Sequence, residues 1–375
     1  VTSSSLAALA AGVLLSLAVV PARDGHGATR ARLDSVATAY HARNAFDGVV
    51  LVARRDTVVY RAAFGSVDRP GRTPIGIGST FPICSITKQF TALLVMREVA
   101  RGRLDLDAPV RTWLPELAAD AAGAVTPRQL LTHTSGLPNL DEVEPRVGEV
   151  AGFYSAAVAP PADARAMVRR YARKAATDTG QAAFRYNNLD FLVLQALLEG
   201  VQQRDYATIV RDDVLQPLGM RHSGLVASGD AGRLVPGYDS GASGVARKDG
   251  WLLERYGAAG AMYSTVDDLL AWDRALLAHR LLDSSSTRRM FTGDPAAGFV
   301  GLGSFVYDVP RPAGGAVGVV DRQGNIGAWQ ADNLLVPAEG WIVIVLANTA
   351  HAELGAAYRG EGLVADLLRV LLASP

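Results

Sequence analysis

Two runs, 48–53 and 57–64, are apolar and rich in β-branched residues, with Arg55 and Asp56 between them, so they read as an antiparallel hairpin. A short helix-like stretch, 33–40, precedes the hairpin, and a Gly/Pro-rich loop, 70–79, follows it. Next, the pattern predicts a long helix from about 82 to 101, stopped by Gly102 just past its last turn. The middle of the chain, about 104–256, is mostly helical, with helices over 162–175, 188–200 and 206–218 and a glycine-rich loop at 223–250. After a helix at 265–277, strand-like runs return at 302–307, 317–320, 331–336 and 341–347, and an apolar helix at 363–372 closes the chain. Strands at both ends with helices between them predict an α+β fold. One antiparallel sheet, built from both ends and flanked by helices, would carry a mostly helical inserted lobe. The expected division is a single catalytic domain over 30–375, with an α/β lobe at 30–103 plus 257–375 and a helical lobe at 104–256. A cleft between the lobes is the natural place for a site.

Composition narrows the functional classes. The 375 residues are 49% hydrophobic and 20% charged, which suits a chain with a real core. Acidic and basic residues balance at 37 each and no polybasic block occurs, so neither a nucleic-acid footprint nor a charged membrane-surface role is expected. The single cysteine, Cys84, excludes an intrachain disulfide and a cysteine-based zinc site, and none of the six histidines has H-E-x-x-H spacing. No metal and no cofactor is therefore expected. Residues 6–20, LAALAAGVLLSLAVV, followed by Pro21-Ala22, read as the apolar core of a secretory leader over 1–22 with a small-residue cleavage site. At about 15 residues the run is shorter than the roughly 20 needed to span a bilayer. The expectation is export, with no stable membrane association after cleavage; an uncleaved N-terminal anchor is the alternative.

The chemistry is carried first by Ser85-Ile86-Thr87-Lys88. A serine and a lysine three apart at a helix start share one face, and the positive end of the helix favours the alkoxide formed when the serine attacks. Burial lowers a lysine pKa, so a neutral amine can take the serine proton. Lysine usage sharpens the point: of 37 basic residues only Lys88, Lys174 and Lys248 are lysine. Arginine cannot be deprotonated in a protein and could not serve as the base. About a hundred residues on, Tyr186-Asn187-Asn188 precedes a helix; a phenol beside serine and lysine can relay a proton to a leaving group. Asn188 could hold the lysine and a substrate carbonyl.

With these motifs stand several longer segments: FDGVVLVARRDTVVYRAAFG, STFPICSITKQFTALLV, LLTHTSGLPN, FRYNNLDFLVL, GAAGAMYSTVDDLLAWDRAL and a late strand ending LANT. Across about 47–348 the chain resembles the β-lactamase-like serine hydrolases, a family that includes class C β-lactamases, D-alanyl-D-alanine carboxypeptidases, D-aminopeptidases and some esterases. The resemblance implies that Ser85 is the nucleophile, Lys88 its base partner, and Tyr186 with Asn188 the second catalytic element. The family's third element is His-x-Gly or Lys-x-Gly; the matching tripeptide here is Arg322-Gln323-Gly324. Arginine keeps the positive charge that would steady Tyr186 and a substrate carboxylate, with bidentate geometry and more bulk. Gly324 would let the substrate pair closely with its strand. The resemblance also implies an oxyanion hole made of the backbone N–H groups of Ser85 and Asn325.

Other segments read as structure. No G-x-S-x-G pentapeptide occurs, so a nucleophile elbow has no support and His133 in LTHTSGLP reads as a buried histidine at a helix-to-loop junction. Cys84 reads as a small packed residue, Gly257 to Ser264 as a tight turn under the site, and Trp329 as either a cleft-lining or a core aromatic. The implied activity is hydrolysis of an ester, amide or β-lactam carbonyl in a small-molecule or peptide substrate. The rival reading is a sensor of the penicillin-binding type, or a pseudoenzyme, that acylates without turnover.

Overall fold

The computed structural model describes residues 26–68, 73–139, 166, 168–169, 183–227, 230–241, 244–247, 253–294 and 297–373. The expected leader at 1–22 lies outside the described residues, and the expected helix at 162–175 lies largely outside them.

Helix α1 (Gly27–Ala42) leads into β1 (Gly48–Arg54) and β2 (Thr57–Phe64), and β8 (Phe305–Pro310), β9 (Ala316–Ile326), β10 (Trp329–Val336) and β11 (Trp341–Ala347) come from the other end of the chain. Together they form one six-stranded antiparallel sheet in the order β2-β1-β11-β10-β9-β8. The strand alternation sorts side chains to two cores. Val50 and Val52 join Val343 and Val345 under α1 and the closing helix α10 (Gly362–Leu372). Val49 and Leu51 join Ile342 and Ile344 against the core that includes α2 (Thr87–Ala100) and α8 (Val266–Leu277). Both faces are covered, so the central strands are apolar almost throughout rather than alternating with polar residues.

Smaller elements fill the middle. They are β3 (Phe81–Pro82), α3 (Pro127–Leu131), α4 (Asn188–Gln202), α5 (Tyr206–Val210), α6 (Gln216–Leu218), β4 (Gly224–Leu225), β5 (Tyr238–Gly241), β6 (Gly244–Arg247), α7 (Gly257–Gly260), β7 (Met262–Ser264) and α9 (Ser284–Met290).

The structure corrects several sequence expectations. The helix expected from 82 starts at Thr87: Phe81–Pro82 pairs with β7, and a 3-10 turn at Cys84–Ile86 intervenes. Gly102, with φ +69°, does stand just after the C-cap Arg101. The helix expected over 206–218 contains a π turn at Arg211–Leu215 between α5 and α6. The glycine-rich segment 223–250 is not all loop, because it carries β4, β5 and β6. Finally, β9 is eleven residues long instead of four. Its polar stretch Asp321-Arg322-Gln323 lies beyond the expected run at 317–320 and continues in the sheet, opposite Leu334, Asn333 and Asp332 of β10.

Candidate active site

Pairing of β3 with β7 and a hydrogen bond from Ile83 N–H to Met262 O (2.9 Å) deliver the chain to the turn that holds Ser85. Thr87 locks that turn, its Oγ1 donating to Cys84 O (2.6 Å) and accepting from Met262 N–H (3.1 Å). Cys84 has a left-handed backbone, φ +49°, uncommon for a non-glycine residue and costly enough to mark a held conformation. Its buried side chain packs with Trp329 and Ile326, and burial pushes the thiol up to about 12, so it stays a thiol. In a 3-10 turn side chains three apart nearly eclipse, and Lys88, at the start of α2, rises beside Ser85.

Lys88 is fully buried and its Nζ lies 3.0 Å from Ser85 Oγ. The same Nζ donates to Asn188 Oδ1 (2.8 Å) and to Ala259 O (2.6 Å). Ala259 belongs to α7, the tight turn expected under the site. Tyr186 OH is 2.6 Å from Ser85 Oγ and arrives from the segment before α4, 101 residues away. That segment is clamped by LTHTSGLP. Arg185 N–H donates to His133 O, Asn187 N–H to His133 Nδ1 (3.2 Å) and Asn187 Nδ2 to Leu137 O (2.9 Å). Asn187 also caps α4, its side chain accepting from Leu189 N–H. His133 and Asp190 are both buried, with Asp190 Oδ2 3.3 Å from His133 Nδ1 and Oδ1 accepting from Ser135 Oγ (2.5 Å). Burial, with help from the charges of Arg322 and Lys88, holds His133 well below its ordinary pKa, and burial holds Asp190 well above its own. His133 is thus a buried histidine just past α3 that shapes the loop carrying Tyr186. Trp329 is a core aromatic, 2% exposed, with its indole N–H on Val235 O.

The third expected element reaches the same serine through β9. Arg322 is fully buried; its Nε donates to Ser85 O (3.0 Å) and its Nη2 to Tyr186 OH (3.0 Å). Burial lowers its pKa, while Tyr186 and Asp321 oppose that shift. These two donors are taken by the protein, and Nη1 is buried without a hydrogen-bond partner. Gly324 has a further steric role. A Cβ there would sit 2.6 Å from Ile83 O and 2.9 Å from Ser85 N, so the missing side chain makes room for the serine turn at the edge of the cleft.

Strand β8 pairs with β9 only from Ala316 to Asp321, leaving the 322–326 edge free of that partner. The tight β9–β10 hairpin pairs Ile326 with Trp329 and Asn325 with Gln330. Ladder alternation in a two-residue hairpin turns the Asn325 N–H away from β10, toward this free edge. The edge borders a cleft of about 360 Å³ whose lining includes Ser85, Tyr186, Asn325, Phe184, Tyr256 and Phe305. The last three and the Ala259 carbonyl went unnoticed in the sequence. Phe184 had one available signal, its place two residues before Tyr186. A backbone carbonyl has none.

Among the described residues no group of three or more His, Cys, Asp or Glu side chains could hold a metal ion. No helix there is long and apolar enough to cross a membrane.

Comparison with known proteins agrees with this architecture. The family model described as Beta-lactamase matches residues 33–366. Esterase EstB of Burkholderia gladioli is 33% identical over 361 residues, covering 86% of this chain and 91% of EstB. A D-aminopeptidase of Brucella anthropi is 28% identical over 247 residues, 65% of this chain but only 45% of that protein. Among solved structures, the octameric penicillin-binding protein homologue from Pyrococcus abyssi superposes with a TM-score of 0.74 at 25% identity, over 86% of this chain and 74% of its own.

Proposed function

The chain belongs to the beta-lactamase family, whose members support a serine-hydrolase mechanism, and on that premise we propose that it cleaves a carboxylic ester or amide through an acyl-enzyme on Ser85. One observation carries the reading: Tyr186 OH and Lys88 Nζ lie 2.6 and 3.0 Å from the same Ser85 Oγ, and Ser85 and Tyr186 line an open cleft.

The hydrogen bonds support a role for each group. Asn188 Oδ1 and Ala259 O can only accept, so they take two N–H groups of Lys88. A neutral amine held that way turns its lone pair toward Ser85 Oγ, as a base for that hydroxyl requires. As Oγ bonds to the carbonyl carbon, Lys88 receives the Ser85 proton, and the carbonyl oxygen becomes an oxyanion between the N–H groups of Ser85 and Asn325. The carbon–leaving-group bond then breaks, and Tyr186 gives its proton to the departing atom while Lys88 reprotonates the phenol. Water attacks the acyl-enzyme in the reverse sense, losing its proton to the Tyr186–Lys88 pair and returning one to Ser85. Arg322 holds Tyr186 in place from behind.

The test is p-nitrophenyl acetate, a cephalosporin and a D-amino-acid amide, each offered to wild type and Ser85→Ala. Multiple turnovers by wild type, an acetyl adduct on Ser85 by mass spectrometry, and loss of both in the variant are expected. A stoichiometric adduct without turnover would instead make the protein an acylating sensor, and turnover by Ser85→Ala would remove the serine from the mechanism.

A further inference from the structure

A second cavity, of about 650 Å³, adjoins the catalytic cleft and shares Phe184, Phe305 and Gln323 with it. Its remaining aromatic walls are Phe299, Tyr307 and Tyr358. Two of them are the most exposed large hydrophobic side chains among the described residues: Phe299 at 49% and Tyr358 at 57%. Phe299 also has a left-handed backbone, φ +61°, and is held by Phe299 N–H on Asp294 O and Val306 N–H on Phe299 O. A bulky aromatic in that conformation over an open cavity is a costly arrangement for a fold to keep without an occupant.

The position of this annex relative to the chemistry follows from its shared walls. Phe184 stands two residues before Tyr186, and the Phe305 ring centroid is 5.5 Å from the Arg322 guanidinium, which donates to Tyr186 OH. The annex therefore opens on the side of Ser85 where Tyr186 stands. In the mechanism above that is where the leaving group departs and takes its proton. Charge restricts the group further. The described lining carries two acids, Asp308 and Asp321, and no lysine or arginine. At the boundary, Arg322 has Nε on Ser85 O and Nη2 on Tyr186 OH, and its Nη1 is buried away from solvent without a hydrogen-bond partner.

We propose that the annex binds the leaving group and selects a bulky aromatic alcohol or amine that bears no carboxylate. The inference rests on the acyl-enzyme reading of Ser85 and adds the class of leaving group to it. It separates this chain from an enzyme built to release an amino acid, whose free carboxylate would find no lysine or arginine among the described lining residues.

Acetate esters test it, because phenyl, 2-naphthyl and 6-carboxy-2-naphthyl acetate all pass through one acetyl-enzyme. Expected are a kcat/KM about tenfold higher for 2-naphthyl than for phenyl acetate, from burial of the second ring, and about tenfold lower again for the carboxylated ester. Under rate-limiting deacylation kcat stays common to all three. Phe299→Ala and Tyr358→Ala, both at exposed positions, should each lower kcat/KM for 2-naphthyl acetate several-fold and leave phenyl acetate unchanged. Equal kcat/KM for the two uncharged esters, a preference for the carboxylated one, or variants that lower both uncharged esters alike would overturn the leaving-group assignment while leaving acylation of Ser85 intact. Absence of any acetyl adduct on Ser85 would mark failure of the acyl-enzyme reading itself, and the assignment would fall with it.

Discussion

Asp321 and Arg322 are neighbours on β9, but strand alternation sends them to opposite faces of the sheet, and the two faces handle buried charge in different ways. On the Arg322 face the charged groups near the cleft are met by dipoles: guanidinium Nε and Nη2 on carbonyl and phenol, amine on amide, carbonyl and hydroxyl, with Arg322 Nη1 buried and without a hydrogen-bond partner. On the Asp321 face two acids are buried together. Tyr307 OH donates to Asp321 Oδ2 (2.5 Å), and Asp332 lies beside Asp321 with no cation between them. Burial pushes Asp321 up to about 6, and burial together with Asp321 pushes Asp332 well above the carboxylate range. One face keeps its charge by surrounding it with dipoles, and the other removes charge by keeping a proton. The first arrangement can do acid–base chemistry because its lone pairs and protons point at one hydroxyl. The second is a structural filling whose cost depends on pH.

Substitutions on each face sharpen this contrast. The largest effect is expected at Lys88. Lys88→Arg puts a group that stays protonated where the mechanism needs a neutral amine, and acylation should fall about 10²–10⁴-fold. Stopped-flow acetylation checks the rate, and a circular dichroism melt close to wild type checks that the fold survives. Normal turnover by this variant would end the proposal that Lys88 is the base. Arg322→Lys should be milder, because it keeps the charge but cannot reach both Ser85 O and Tyr186 OH. A loss of roughly 10- to 100-fold in kcat/KM is expected, the scale of one charge-assisted hydrogen bond. A rate equal to wild type would mean that the paired geometry is dispensable.

On the acidic face the effect should be on stability and not on turnover. Both carboxyls have raised pKa values, so the folded chain holds protons that the unfolded chain has already released. Stability from this pair is full below the ordinary carboxylate range and declines as pH rises through Asp321's value near 6 and beyond. Each such proton contributes a slope of about 1.4 kcal/mol per pH unit. Asp332→Asn removes one ionisable group, so its melting temperature should fall less steeply between pH 5 and pH 8, a window from about one unit below Asp321's value to about two above it, with ester turnover unchanged. Parallel melting curves for the two proteins would show that Asp332 titrates as an ordinary acid.

The two faces also differed in how readily they could be read. Ser85, Lys88, Tyr186 and Asn188 stood out because their residue types are scarce or clustered, and the structure brings all four together. The acids on the other side of β9 gave no such sign. Asp321, Arg322 and Gln323 interrupt an apolar run, and polar residues in a row suggest loop until a covering layer is known to exist on each side. Helix α9 was missed for a similar reason: its sequence, SSSTRRM, has no apolar stripe, and its start is set by Asp283 accepting from Ser285 and Ser286 N–H. β4 escaped notice because Gly224–Leu225 is a strand only through its pairing with β7.

The sequence by itself determined what short-range covalent geometry can determine. It set the three-residue spacing that stacks Ser85 and Lys88, the cap that starts α4 at Asn187, and the apolar runs that had to become the middle of a covered sheet. Only the tertiary structure decided which distant groups complete the site, because contacts across 101, 171 and 237 residues depend on how layers pack and not on any local preference. It made Arg322 a clamp on Tyr186 and Ser85, made Gly324 a clearance for the serine turn, and supplied Lys88 with a carbonyl that no side-chain pattern could announce.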